Sequence, residues 1–289
     1  MDAGPEEQQS NGSRREISDL RSGHSLVPGQ PDEGWLPRAI KGRLSGEEIE
    51  KLVDDAVENN RILTLVTYYL SDYGESVMNT IASRLLARFG REDLIDVVYT
   101  CLKELVMNAG KANLKRIVFE DEGVNPLSPE DYERGMVIFK KNLPERRIKS
   151  YKPRFREQNL PVTITFYYEP QNVLKIKIKN VFTLWPTEEQ RIRDKFRYAK
   201  NYEDLMAFYL EHGDETEGAG MGMALVGILL DQMGIDRHLF SIYSSERYNE
   251  TIARLEIPLN PKYESRRARF DREWQASGLD KNEFRAGFH

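Results

Sequence analysis

From Glu92 to about Ala112 the chain is apolar around most of a helical circumference. Leu94, Ile95, Val97, Val98, Cys101, Leu102, Leu105 and Val106 leave few directions facing water. A helix apolar on nearly every side belongs inside a domain, so whatever this chain folds into must cover it on more than one side. Its polar residues then stand out. Glu104, Asn108 and Lys111 are spaced i, i+4, i+7 and share one face. Burying a carboxylate or an ammonium without a partner is costly, so the stripe is either a solvated edge or the wall of a ligand cleft. Cys101, one turn earlier, has no histidine near it in sequence and reads as a small core residue, not a nucleophile.

A second marker is the run Glu217 to Val226. Gly218, Gly220 and Gly222 alternate and lead into the apolar segment Met223 to Met233, which reads as a buried helix. Glycine lets backbone approach a ligand, and a helix start offers unpaired N–H groups and a positive dipole end. The pattern fits a phosphate cradle or a flexible turn.

A chain of 289 residues, 39% hydrophobic, supports one main core with appendages. A net charge of −5 without a long basic block gives no reason to expect nucleic acid. The lone Cys101 excludes an intrachain disulfide and fits a reducing compartment. No apolar run approaches the ~20 residues of a membrane helix, so no membrane partner is expected and the expected location is cytoplasmic.

Residues 1–34 are poor in aromatic and β-branched types and read as a disordered tail. Residues 35–60 hold a helical segment opened by a capping box, Ser45-Gly46-Glu47-Glu48. The main domain spans 61–260, with a charged insertion at about 113–160 that holds too few apolar residues for a core of its own. Residues 261–289 form a charged tail able to dock on the domain or on a partner.

Within the main domain, Arg61 to Leu70 is dense in strand formers. Asp72 can cap a helix that ends at Gly90, and Ser128-Pro129 opens another that runs to Asn142. Val162 to Glu169 and Val173 to Lys179 form a hairpin whose second strand puts lysines on one face and aliphatics on the other. Thr187-Glu188-Glu189-Gln190 is a further capping box, and helical sequence continues to about His212. Its basic residues, Arg191 to Lys200, could reach phosphates or be a solvated face. The segment from Thr187 to Glu217 is placed to act as a lid. Leu239 to Ser244 and Thr251 to Leu259 form a closing hairpin.

This order of elements and motifs resembles the GHKL (Bergerat-fold) ATPase superfamily, specifically histidine-kinase catalytic domains and anti-sigma-factor kinases. Glu104-Leu105-Val106-Met107-Asn108-Ala109-Gly110-Lys111 is similar to the family's N box. Gly218 to Val226 is similar to its second glycine box, and Ser241 to Leu255 to its closing hairpin. The resemblance implies an α+β fold: a two-layer α/β sandwich whose mixed, mostly antiparallel sheet is covered on one face by helices. It implies ATP and Mg²⁺ as ligands. Asn108 would hold the metal, Glu104 would polarise the attacking group and Lys111 would contact phosphate. Gly218, Gly220 and Gly222 would cradle the phosphates, and Thr251 would lie at the floor of the adenine pocket.

The first glycine box departs from the family pattern Asp-x-Gly-x-Gly. It reads Asn180-Val181-Phe182-Thr183-Leu184 here, so the adenine-reading aspartate is Asn180 and both glycines are bulky. Filling of the pocket by Phe182, Leu184 or Trp185 would make a pseudo-ATPase. None of His24, His212, His238 and His289 sits in a phosphoacceptor context. Two functions are therefore expected. One is a nucleotide-binding regulator, a kinase acting in trans on a protein partner in signalling or transcription control. The other is an interaction module that keeps the fold without the nucleotide.

Overall fold

Five strands, β1 (Leu63–Thr67), β2 (Val162–Glu169), β3 (Val173–Asn180), β4 (Phe240–Ser245) and β5 (Glu250–Pro258), form one sheet in the order β1-β2-β3-β5-β4. The computed structural model describes residues 43–199 and 221–288, and among these every strand pairing is antiparallel, where a mixed sheet was expected. The period-2 pattern fixes the register. Leu174, Ile176 and Ile178 point to the buried face, and Lys175, Lys177 and Lys179 to the other. Gln171 takes a positive φ of 63° in the β2–β3 turn.

Helices α1 (Gly46–Glu58), α2 (Asp72–Arg88), α3 (Ile95–Asp121) and α8 (Met221–Gln232) pack on that aliphatic face and close the main core. The capping box of α1 forms as its sequence requires, Ser45 and Glu48 bonding reciprocally. Ser71, not Asp72, caps α2; its hydroxyl accepts from the Gly74 N–H. No described helix is long and apolar enough to cross a membrane.

The largest correction concerns α3, which runs on past Ala112 to Asp121. At 1.5 Å per residue its 27 residues span about 40 Å. Leu114, Ile117 and Val118 continue the helical spacing, and nothing breaks the helix before Gly123, whose φ is +59°. These residues seed a second buried cluster with α4 (Pro129–Lys141), α5 (Glu145–Ser150) and α6 (Lys152–Glu157). The region expected to be a coreless insertion thus has a core, built on the second half of α3. Gly135 permits the close approach of α4, because a Cβ there would come within 2.7 Å of the Phe119 ring.

The last of the expected capping boxes is shifted. Helix α7 (Pro186–Ala199) begins before Thr187, and Glu188 reaches back to accept from the Trp185 N–H at 3.0 Å. Beyond β5, α9 (Arg266–Ser277) and α10 (Lys281–Gly287) contain no buried residue. The rings of Phe270, Phe284 and Phe288 pack on one another there, with centroids 5.0 to 5.7 Å apart. The expected tail at residues 1–34 lies outside the described residues, as do 200–217 of the expected lid.

Candidate functional site

The polar face of α3 is half-buried. Glu104, Asn108, Lys111 and Lys115 line a cavity of about 330 Å³. From Glu104 to Lys115 the helix rises about 16 Å, so the cleft has two distinct ends and a middle.

At the first end, Glu104 lies directly beneath Gly222 at the start of α8. A Cβ at Gly222 would overlap the Glu104 carboxylate outright. Any larger residue at 222 would have to displace the Glu104 side chain, and the carboxylate sits at a helix N-terminus, where the dipole favours negative charge. Asn108 Nδ2 donates to Glu104 Oε1 at 3.0 Å, which turns its Oδ1 away from that carboxylate. Lys111 forms no ion pair among the described residues. Gly218 and Gly220 lie outside the described residues, so of the glycine run only Gly222 is placed. No group of three His, Cys, Asp or Glu gathers anywhere among the described residues. A cation at this end would therefore be held by Glu104, Asn108 and ligand oxygens, a donor set suited to Mg²⁺.

In the middle, Asn180 and Thr251 face each other across β3 and β5, and both line the cavity. Asn180 is 5% exposed. Its Nδ2 donates to the Ala109 carbonyl at 3.0 Å and to Asn113 Oδ1 at 2.7 Å. Fully buried Asn113 in turn donates to the Leu160 carbonyl at 2.7 Å. The amide at position 180 therefore ties β3 to α3, and its oxygen is the group left for a ligand. Thr251 Oγ1 donates to the Phe182 carbonyl at 2.7 Å, so its proton is also used.

The loop after β3 is clamped in place. Arg116 Nη2 donates to the Thr183 carbonyl at 2.9 Å and to Glu188 Oε2 at 2.7 Å. Lys115 Nζ contacts Glu188 Oε1 at 2.9 Å. Burial pushes the Glu188 carboxyl upward, but Lys115 and Arg116 outweigh it and hold the pKa at about 2. The Arg116 guanidinium also lies over Phe182, 4.3 Å from its ring centre. Trp185 stacks on Phe119 with centroids 5.0 Å apart. Of the three bulky residues expected to fill the pocket, Leu184 alone lines it; Phe182 and Trp185 are drawn off towards Arg116 and the second cluster.

The far end is built by α4, whose Tyr132, Met136 and Phe139 join the lining. Their i, i+4, i+7 spacing was visible in the sequence, but nothing there connected it to the cleft. Arg116, Glu188 and Asn113 were likewise missed as parts of the site. Cys101 is fully buried, and burial pushes its thiol up to about 12, which makes it unreactive.

No family model matches the chain, and no solved structure matches it. Among curated proteins it is similar to an uncharacterized protein of Treponema pallidum (strain Nichols), with 30% identity over 205 residues. Those residues are 71% of this chain and 39% of that protein, so the chain spans about two fifths of its relative's length.

Proposed function

We propose that the cleft binds Mg·ATP and that the protein is a GHKL-type regulator with a Bergerat fold, acting as a kinase in trans on a cytoplasmic protein partner in signalling or transcription control. The observation that carries this reading is the fit of the Glu104 carboxylate under Gly222. It joins the two sequence stretches that resemble the N box and the second glycine box into one wall.

The chemistry follows from the groups at that end. Bound Mg²⁺ would neutralise phosphate charge. Asn108 Oδ1 and the Glu104 carboxylate are the ligands this chain offers it, and Lys111 supplies an ammonium for the phosphate oxygens. Glu104 is also the carboxylate able to accept a proton from an attacking hydroxyl or imidazole. None of His24, His212, His238 and His289 has a phosphoacceptor sequence context, so the phosphoacceptor is assigned to the partner. Without a cation, Glu104 would repel a phosphate at the same helix start.

Calorimetric titration tests this. Mg·ATP should bind, Lys111→Ala should weaken it about ten-fold, and ATP with a chelator should give no heat. Absence of heat with Mg·ATP overturns the reading. One observation favours the interaction module instead: Leu184 forms part of the cavity wall at the base side.

A further inference from the structure

Hydrogen-bonding capacity along the cleft is uneven. In the middle, the Asn180 amide nitrogen makes two bonds within the protein and the Thr251 hydroxyl donates to a backbone carbonyl. Both residues can accept from a ligand; neither has a proton to give. A heterocyclic base presents acceptors as well as donors, so a site of this kind lacks half of what would read it.

A neutral donor is on α4; the other side chains able to donate at this end, Arg191 and Lys195 on α7, are cationic. Tyr132 is 1% exposed and lines the cavity, and its hydroxyl is buried with no hydrogen-bond partner. A buried hydroxyl left unpaired is costly, and native proteins carry few such groups. The ring is held firmly. It meets Phe119 edge-on with centroids 5.5 Å apart and Trp185 at 6.5 Å, while the Arg191 guanidinium lies 5.8 Å from its centre. Met136 and Phe139 extend an apolar, flat-sided wall beside it. The Lys115 ammonium, 5.4 Å from the Phe139 ring, is already committed to Glu188.

We infer that the α4 end of the cleft completes the base site, and that the Tyr132 hydroxyl donates a hydrogen bond to an acceptor atom of the nucleobase. Tyr132 is then a specificity-determining residue contributed by the second cluster. This rests on the nucleotide reading above and adds to it a base-recognising group outside both boxes.

The test compares wild type with Tyr132→Phe, which keeps the ring and removes only the hydroxyl. Both are titrated with Mg·ATP and with Mg·triphosphate, which carries phosphates without a base, and the free proteins are melted. Binding of Mg·ATP should weaken about ten-fold in the variant. Binding of Mg·triphosphate should stay equal, and the free variant should melt at the same or a higher temperature. Equal Mg·ATP binding by the two proteins overturns the inference and leaves the nucleotide reading standing; a buried water on the hydroxyl would give that result. A parallel loss of triphosphate binding, or a free variant melting several degrees lower, also overturns it by showing that the hydroxyl acts elsewhere. If wild type binds neither ligand, the nucleotide reading falls and the inference falls with it.

Discussion

The Arg116 guanidinium lies 3.5 Å from the centre of the Trp185 ring. The same side chain is ion-paired with Glu188, which is 6% exposed. One arginine on α3 thus fixes the loop after β3 and the start of α7 together. Because Glu188 is ionised, desolvated and satisfied by two cations and a backbone N–H, this is an anchor that titrates.

Glu188→Gln should cost about 3 kcal/mol at pH 7, because the carboxyl falls from its ordinary 4.5 to about 2 on folding and each tenfold change in proton affinity is 1.36 kcal/mol. The sign follows from the lowered value. Stabilisation by Glu188 is complete above about pH 4.5 and is lost as the pH falls towards 2. Urea unfolding of both proteins should show a gap at pH 7 that closes through this range. A gap that persists unchanged at pH 2.5 would refute the linkage.

Gly222→Ala should displace the Glu104 side chain and cost the fold about 1 kcal/mol, because a Cβ there meets the end of a flexible side chain. Glu104→Ala in the same chain should restore it, since the clash disappears and alanine is preferred to glycine in a helix by about 1 kcal/mol. A double-mutant cycle measures the coupling. Simple additivity would mean that the two residues do not share that space.

Asn180→Asp, which would match the GHKL pattern that this stretch resembles, should weaken the protein. It sets carboxylate oxygens against the Ala109 carbonyl and Asn113 Oδ1, where two N–H bonds were made. The expected loss is about 2 kcal/mol, read as a lowered melting temperature. A rise in stability would show that the amide is oriented the other way.

The Cys101 thiol, pushed up by burial to about 12, should resist a thiol reagent at pH 8 until the domain opens. Labelling should follow the urea unfolding transition. Rapid labelling of the native protein would place the residue at the surface.

Much of the fold was legible because its signals are local. The Ser45–Glu48 capping box, the period-2 alternation at Val173 to Lys179 and the turn at Gln171 each depend on neighbouring residues only. The course of α3 beyond Ala112 was not, because Lys115, Arg116 and Glu120 made a buried stretch look like a solvated one; burial depends on α4 and Glu188, which lie elsewhere in the chain. The site divides in the same way. The spacing of Glu104, Asn108 and Lys111 was enough to put them on one wall, and Asn180 and Thr251 also line the cavity. What Asn180 bonds to, and that Tyr132 belongs to the cleft, follow from tertiary packing that no spacing encodes.

α3 threads both clusters, its first half in the main core and its second half in the smaller one. Helices fray from their ends, and the packing of α4 to α6 holds the C-terminal half together with the Glu188, Trp185 and Asn180 contacts. A partner that peeled those helices away would let α3 unwind backwards, releasing Arg116 and Lys115 first, then Lys111, and Asn108 and Glu104 last. The cleft would be dismantled in a set order, its α4 end before the end where Glu104 meets Gly222.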